Sequence, residues 1–167
     1  MAIGYLYTGG PIPISWTPFG ELFSGLFMGM IIILLAFFIQ TGNVNGFVVW
    51  ISLPIVITIG LINMANNIRD RVKDKASGRK TLPILLGKKA SITFMAAMYI
   101  LAYLIVIFTA LFKSGGSLFY LLVLFSFPMP IKAIRRFNKN DTPASMMPAM
   151  AATGKTNTVF GLSLIHI

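Results

Sequence analysis

The chain has 167 residues, of which 56% are hydrophobic and only 11% are charged, and its mean hydropathy is +0.82. A soluble domain carries about 25% charged residues, and a chain this short cannot bury nearly all of its side chains, so the composition excludes an ordinary water-soluble protein. The formal charge of +10 comes from 14 Lys and Arg against four acids; these cations lie in the gaps between apolar stretches, which argues for contact with membrane lipid and against nucleic acid as a partner.

The apolar stretches predict the elements in chain order. Gly and Pro recur every few residues over 1–20, which indicates an ordered loop. A helix needs about 20 apolar residues to cross a bilayer, and uncharged stretches that approach this length lie at 22–39, 47–64, 91–112 and 117–131. A fifth stretch starts at 157 and is about half as long as a crossing requires. We therefore expect an all-α, multi-spanning transmembrane helix bundle with four full spans and a partial fifth.

The charges between these spans predict the topology. If each span crosses once, the basic loops at 65–90 and 132–154 lie on one side of the membrane, and the links at 41–46 and 113–116 lie on the other. The second set carries Lys113 as its one cation. Cations concentrate in cytoplasmic loops, so we expect the two basic loops in the cytoplasm and the chain in the cell membrane as a multi-pass protein.

The most polar segment of the chain has the residues for a metal–diphosphate site. Asp70 and Asp74 are four apart, which on a helix places both carboxylates on one face. Mg²⁺ suits such a pair, because it binds one or two carboxylates and completes its octahedron with water and substrate phosphates. Arg69, Arg79 and Lys80 could hold the oxygens of a diphosphate.

A second interpretation of the same segment needs no ligand. Loops between spans are rich in Lys and Arg in any case, and the two aspartates could simply form exposed ion pairs with neighbouring cations, which contribute little. Asn66 and Asn67 stand at the end of a predicted span, where spacing alone favours a helix cap over a ligand. Spacing by itself favours the solvated loop.

A family resemblance changes this balance. The pattern Asn-Asn-x-Arg-Asp-x-x-x-Asp at 66–74, followed by Gly-Arg-Lys-Thr-Leu at 78–82, resembles the second aspartate motif of the UbiA-type prenyltransferases. Stretches at 4–11 and 148–157, with Gly20-Glu21 between them, are similar to the branch that prenylates 1,4-dihydroxy-2-naphthoate in menaquinone biosynthesis. The resemblance extends to about residue 162.

The resemblance implies a site with named roles. Asp70 and Asp74 would bind Mg²⁺ that bridges a polyprenyl diphosphate, and Arg69, Arg79 and Lys80 would hold the diphosphate. Asn66 and Asn67 belong to the same motif and would bind substrate. The partners would be a polyprenyl diphosphate, an aromatic acceptor and membrane lipid.

The resemblance also implies a larger enzyme. The family has about nine transmembrane helices and two aspartate motifs that face each other across a cavity. Its first motif, Asn-x-x-x-Asp-x-x-x-Asp, does not occur in this sequence. We therefore expect 1–167 to be a single transmembrane domain that forms the C-terminal half of such an enzyme, inactive without an upstream half.

Two alternatives remain at this level. One is another branch of the same family, whose acceptor would be 4-hydroxybenzoate or a haem or chlorophyll precursor. The other is a non-catalytic membrane subunit or transporter half, whose basic loops only orient it.

Overall fold

The computed structural model describes residues 2–11, 13–112 and 118–164, and within these ranges the regular structure is entirely helical. In chain order the elements are α1 (Ala2–Thr8), a 3₁₀ helix (Ile14–Trp16), α2 (Gly20–Gly25), a π-helical segment (Leu26–Ile31), α3 (Ile32–Thr41), α4 (Gly46–Ala76), α5 (Leu82–Leu86), α6 (Lys88–Phe112), a second 3₁₀ helix (Leu118–Ser126), α7 (Pro128–Lys139) and α8 (Pro143–Ser163).

Four helical stretches are long and apolar enough to cross a membrane. They are Gly20–Thr41, Gly46–Ala76, Lys88–Phe112 and Leu118–Lys139. Three of them contain a predicted span completely, and the fourth contains all of its predicted span except residue 117, which lies outside the described residues. The expectation of a multi-spanning, all-α membrane bundle is therefore confirmed. The first span is continuous from α2 through the π-helical segment to α3.

Helix α4 is the centre of the bundle, and it packs against α2, α6 and α8. Asn45 caps its N-terminus by accepting a hydrogen bond from the backbone N–H of Val48 at 3.0 Å. The main apolar cluster gathers side chains from α4, α6, α7 and α8: Leu61, Met64, Ala65, Ile68, Ile92, Met95, Tyr99, Phe137, Met146 and Ala149. The C-terminal half of α4 is thereby fixed from several sides.

Glycines allow α2 and α4 to approach each other closely. A Cβ built on Gly25 would lie 2.3 Å from the carbonyl oxygen of Val56, and one on Gly60 would lie 2.9 Å from that of Glu21. Small residues permit such backbone contact between membrane helices. The approach places the first turn of α2 directly against the middle of α4.

The predicted loop at 65–90 is wrong in its conformation. Helix α4 continues to Ala76, well beyond the apolar run, and α6 begins at Lys88. Only the turn at 77–81, α5 and Gly87 separate them. Gly78 has a φ of +79°, a conformation that a side chain would oppose. The polar end of α4 is therefore a continuation of the same helix.

The predicted loop at 132–154 is also largely helical. Helix α7 runs to Lys139 and α8 starts at Pro143, fourteen residues before the partial fifth span expected from hydropathy. Thr142 and Ser145 form a reciprocal capping box, and Pro143 occupies the first turn, which together favour a helix start. The 21 residues of α8 are not among the four stretches apolar enough to span a membrane.

The N-terminal region differs from its prediction as well. The sequence predicts a loop over residues 1–20, whereas α1 and the first 3₁₀ helix lie there. The predicted link at 113–116 lies outside the described residues.

Candidate active site

The C-terminal half of α4 carries a polar stripe, which we define as Asn63, Asn67, Asp70 and Asp74. Successive members are four, three and four residues apart, so all of them lie on one face of the helix. Asn66, half-buried, lies one turn before Asp70. The structure thus places the predicted aspartates and asparagines in one unbroken helix.

Asp70 is engaged by the adjacent guanidinium. Arg69 donates two hydrogen bonds to its carboxylate, through Nε and Nη2, in a bidentate arrangement. The remaining terminal nitrogen of Arg69 lies 3.0 Å from the sulfur of Met150 on α8. Arg69 therefore connects the aspartate motif to α8 while keeping its guanidinium partly exposed.

Asp74 is buried and lies 3.4 Å from Nη1 of Arg79. The Arg79 guanidinium is also 5.5 Å from the centroid of the Trp16 ring, within cation–π range. The backbone N–H of Lys80 donates to the carbonyl of Trp16 at 2.8 Å, while the Lys80 side chain is exposed. The turn at 77–81 is thus held against the first 3₁₀ helix, and its Arg79 lies beside Asp74.

Two functional candidates, Glu21 and Tyr7, are absent from the site predicted from the sequence. Nδ2 of Asn67 donates to Oε1 of Glu21 at 2.8 Å, and Nδ2 of Asn63 donates to the Tyr7 hydroxyl at 3.2 Å. Burial raises the pKa of the Tyr7 hydroxyl, which keeps it neutral. Glu21 enters the sequence-based prediction only as part of the family resemblance, although an acid at the start of an otherwise apolar span is itself a functional signal.

Comparison with known proteins decides the family. Residues 1–158 match the UbiA prenyltransferase family. The chain belongs to that family. The resemblance drawn from the aspartate motif is therefore confirmed over nearly the whole sequence, and the multi-pass helical bundle agrees with it.

Individual members of the family show how similar the chain is to particular proteins. The chain is 50% identical over 165 residues to 1,4-dihydroxy-2-naphthoate octaprenyltransferase of Bacillus subtilis (strain 168), covering 98% of this chain and 52% of that protein. It is 31% identical over 162 residues to a UbiA prenyltransferase domain-containing protein 1 homolog of Drosophila melanogaster, covering 97% of this chain and 43% of that protein. The chain thus spans about half the length of the curated relatives it matches.

The donor set of this UbiA chain fits magnesium. Mg²⁺ prefers hard oxygen ligands and takes one or two carboxylates with substrate phosphates, and the polar stripe offers the carboxylates of Asp70 and Asp74, each already in contact with a guanidinium. Within the part of the chain that the structure describes, no group of three or more His, Cys, Asp or Glu could hold a metal alone. A diphosphate would supply the further oxygens and would meet Arg69 and Arg79 beside them.

Proposed function

We propose that this chain forms one wall of the active site of a membrane prenyltransferase, which transfers a polyprenyl group from a polyprenyl diphosphate to 1,4-dihydroxy-2-naphthoate. The observation that carries the proposal is the polar stripe itself, two aspartates on one face of a helix with a guanidinium on each. The name of the Bacillus subtilis relative supports the acceptor.

The proposal gives the residues distinct roles. Asp70 and Asp74 hold Mg²⁺, which when bound offsets the negative charge that develops on the leaving diphosphate. Arg69, Arg79 and Lys80 hold the diphosphate oxygens in place. Because Arg69 is braced by Met150 and Arg79 by Trp16, both guanidinium groups are oriented before the substrate arrives, which lowers the entropy cost of binding.

Asn66 and Asn67, on the same helix, contact the bound substrate. Asn amides offer both donors and an acceptor, so they can contact a phosphate oxygen or the metal and its water. The apolar faces of the spans accommodate the isoprenoid tail and keep bulk water from the reacting carbon, which protects a reactive allylic centre from hydrolysis.

We propose that the remaining ligands come from a part of the enzyme outside these 167 residues. The chain covers 52% of the Bacillus subtilis relative, and the family resemblance calls for a first aspartate motif of the form Asn-x-x-x-Asp-x-x-x-Asp. The isolated chain is then expected to give no turnover, and co-expression with a half that carries the motif should restore it. We call the assembled protein the complete enzyme.

Substitution of the aspartates tests the site. In the complete enzyme, Asp70→Asn or Asp74→Asn should lower product formation at least about 100-fold, since a catalytic metal contributes several kcal/mol and each 1.4 kcal/mol is tenfold in rate. The dependence on magnesium should weaken in parallel, while the yield of folded protein stays close to normal. The matched control is Asp141→Asn, an exposed acid paired with Lys88, which should leave turnover unchanged.

Near-normal turnover for both aspartate variants would end the metal–diphosphate assignment and favour the non-catalytic subunit. Running the same assay with 4-hydroxybenzoate in place of 1,4-dihydroxy-2-naphthoate tests the acceptor, because a preference for the former would move the chain to another branch of the family.

We further propose that the basic end of the bundle faces the cytoplasm. Single cysteines at Lys75 and Arg136 should be protected from an impermeant thiol reagent in intact cells, whereas one at Asn43, in the link between α3 and α4, should react. The chain has no cysteine of its own to interfere. Labelling of all three positions, or the reverse pattern, would contradict the orientation.

A further inference from the structure

Glu21 is a buried acid to which the proposed function assigns no role. It is 8% exposed, in the first turn of α2. Its Oε1 accepts the hydrogen bond from Asn67, and its Oε2 is buried without a hydrogen-bond partner among the residues that the structure describes. A carboxyl group within a membrane helix is costly to bury, and an unsatisfied oxygen adds to that cost. Such a residue needs a functional reason.

The chemistry of the pair determines how Asn67 is oriented. An amide side chain can present either a donor or an acceptor, whereas a carboxylate oxygen without a proton only accepts. Glu21 therefore fixes Asn67 with Nδ2 toward α2. The acceptor Oδ1, which diverges from Nδ2 at the same carbon, is left for another partner.

The backbone around this pair holds it firmly. The close approach of Gly60 to the carbonyl of Glu21 brings the two helices together at this level. One turn earlier on α4, Asn63 donates to the Tyr7 hydroxyl, which in turn donates to the carbonyl of Gly20 at 3.3 Å. Two links thus hold the polar stripe to the α1–α2 region on the side of the two asparagines.

We infer that Glu21 is a positioning residue for the metal–diphosphate site: it holds the Asn67 amide so that Oδ1, a hard oxygen, serves the site formed by Asp70 and Asp74. This inference rests on the proposed function. Outer-shell partners that orient a ligand of a metal site affect metal affinity about 10–100-fold. Glu21 thereby contributes to binding without itself contacting the substrate.

Metal binding tests the inference without relying on turnover. Mn²⁺ takes the same oxygen ligands as Mg²⁺, and its binding can be measured by electron paramagnetic resonance. The assay uses the complete enzyme in detergent with inorganic pyrophosphate present. Glu21→Gln keeps the size of the side chain but can donate as well as accept, so it no longer dictates the orientation of Asn67. We expect its Mn²⁺ affinity to fall about tenfold or more, with a melting temperature close to that of the wild type. Asp141→Asn, the same change from acid to amide at an exposed acid paired with Lys88, is the control and should not change the affinity.

A polarity swap separates orientation from mere packing. Asn67→Asp alone opposes two carboxyl groups and should weaken Mn²⁺ binding. Combining it with Glu21→Gln restores an N–H···O hydrogen bond with donor and acceptor exchanged, and again leaves an oxygen for the site. The double variant should therefore recover most of the affinity that Asn67→Asp loses, a coupling that a double-mutant cycle measures.

Unchanged affinity in Glu21→Gln, or a double variant no better than Asn67→Asp alone, would overturn the positioning role. Asp70→Asn distinguishes this from failure of the proposed function. If Asp70→Asn abolishes Mn²⁺ binding and Glu21→Gln does not affect it, only the positioning role fails. If the wild type does not bind Mn²⁺ with pyrophosphate, both proposals fail.

Discussion

The contact between α2 and α4 can be tested at Gly25. A Cβ at this position would lie 2.3 Å from the carbonyl oxygen of Val56, roughly 1 Å short of ordinary contact, and it would also meet the Val56 side chain at 3.1 Å. The nearest atom belongs to the backbone, so no rotamer change can relieve the clash, and the two helices must move apart. Gly25→Ala is therefore expected to destabilise the bundle.

The magnitude follows from two opposing terms. Overpacking of this kind costs about 1–3 kcal/mol, and the rigid backbone partner argues for the upper end. Replacing a helical glycine with alanine returns about 0.5–1 kcal/mol. The net loss should be about 2 kcal/mol, which for a domain of this size lowers the melting temperature by roughly 2–4 °C per kcal/mol.

A matched substitution of the same type should have the opposite sign. Gly154 lies inside α8, and a Cβ there would meet no atom within 4 Å. Gly154→Ala should then stabilise the protein by about 0.5–1 kcal/mol. Thermal melting of both variants in one detergent is the assay. A Gly25→Ala protein that melts at or above the wild-type temperature would refute the close helix contact, and with it the structural basis for placing Glu21 against Asn67.

Two further predictions concern the ends of the bundle. Trp16→Leu removes the ring beside Arg79 and should raise KM for the polyprenyl diphosphate roughly 2–5-fold in the complete enzyme, with kcat little changed. The reason is that an exposed cation–π contact contributes about 0.5–1 kcal/mol. An unaltered KM would argue against this support of Arg79. Lys88 donates to the carboxylate of Asp141 at 2.6 Å, and this hydrogen bond holds the pKa of Asp141 below its usual range. The ion pair therefore stabilises the fold at a pH above the pKa of Asp141 in the unfolded state. It loses this effect as the pH falls through the lower pKa of Asp141 in the folded state. The small difference in melting temperature between Asp141→Asn and wild type should therefore disappear in acid, and a difference that grows there would contradict the pairing.

The placement of the candidate site residues on one helix face could be predicted because its signals are local. The spacing of Asp70 and Asp74 fixes their common face once the segment is helical, and the motif around them is sufficient to indicate the family. What the motif does not indicate is how each carboxylate is engaged. The motif predicts that Arg69 holds a substrate, and the structure shows it also forming a bidentate pair with Asp70.

Helix boundaries were less predictable than spans. Hydropathy ends the second span near residue 64, but α4 continues to Ala76. A helix can extend beyond the hydrocarbon of the membrane wherever its residues have sufficient helix propensity and pack against neighbouring elements. The start of α8 depends on the capping box of Thr142 and Ser145, a signal independent of hydropathy.

The sequence by itself determined that membrane lipid surrounds the chain, how many helices span the membrane, and which helix face carries the aspartates. Each of these follows from composition or from residue spacing within a few turns. Only the tertiary structure decided which side chains meet across helices. Glu21 and Asn67 are 46 positions apart, and their contact depends on how closely α2 crosses α4 at Gly25 and Gly60. That distance is set by packing between helices, which no local periodicity encodes.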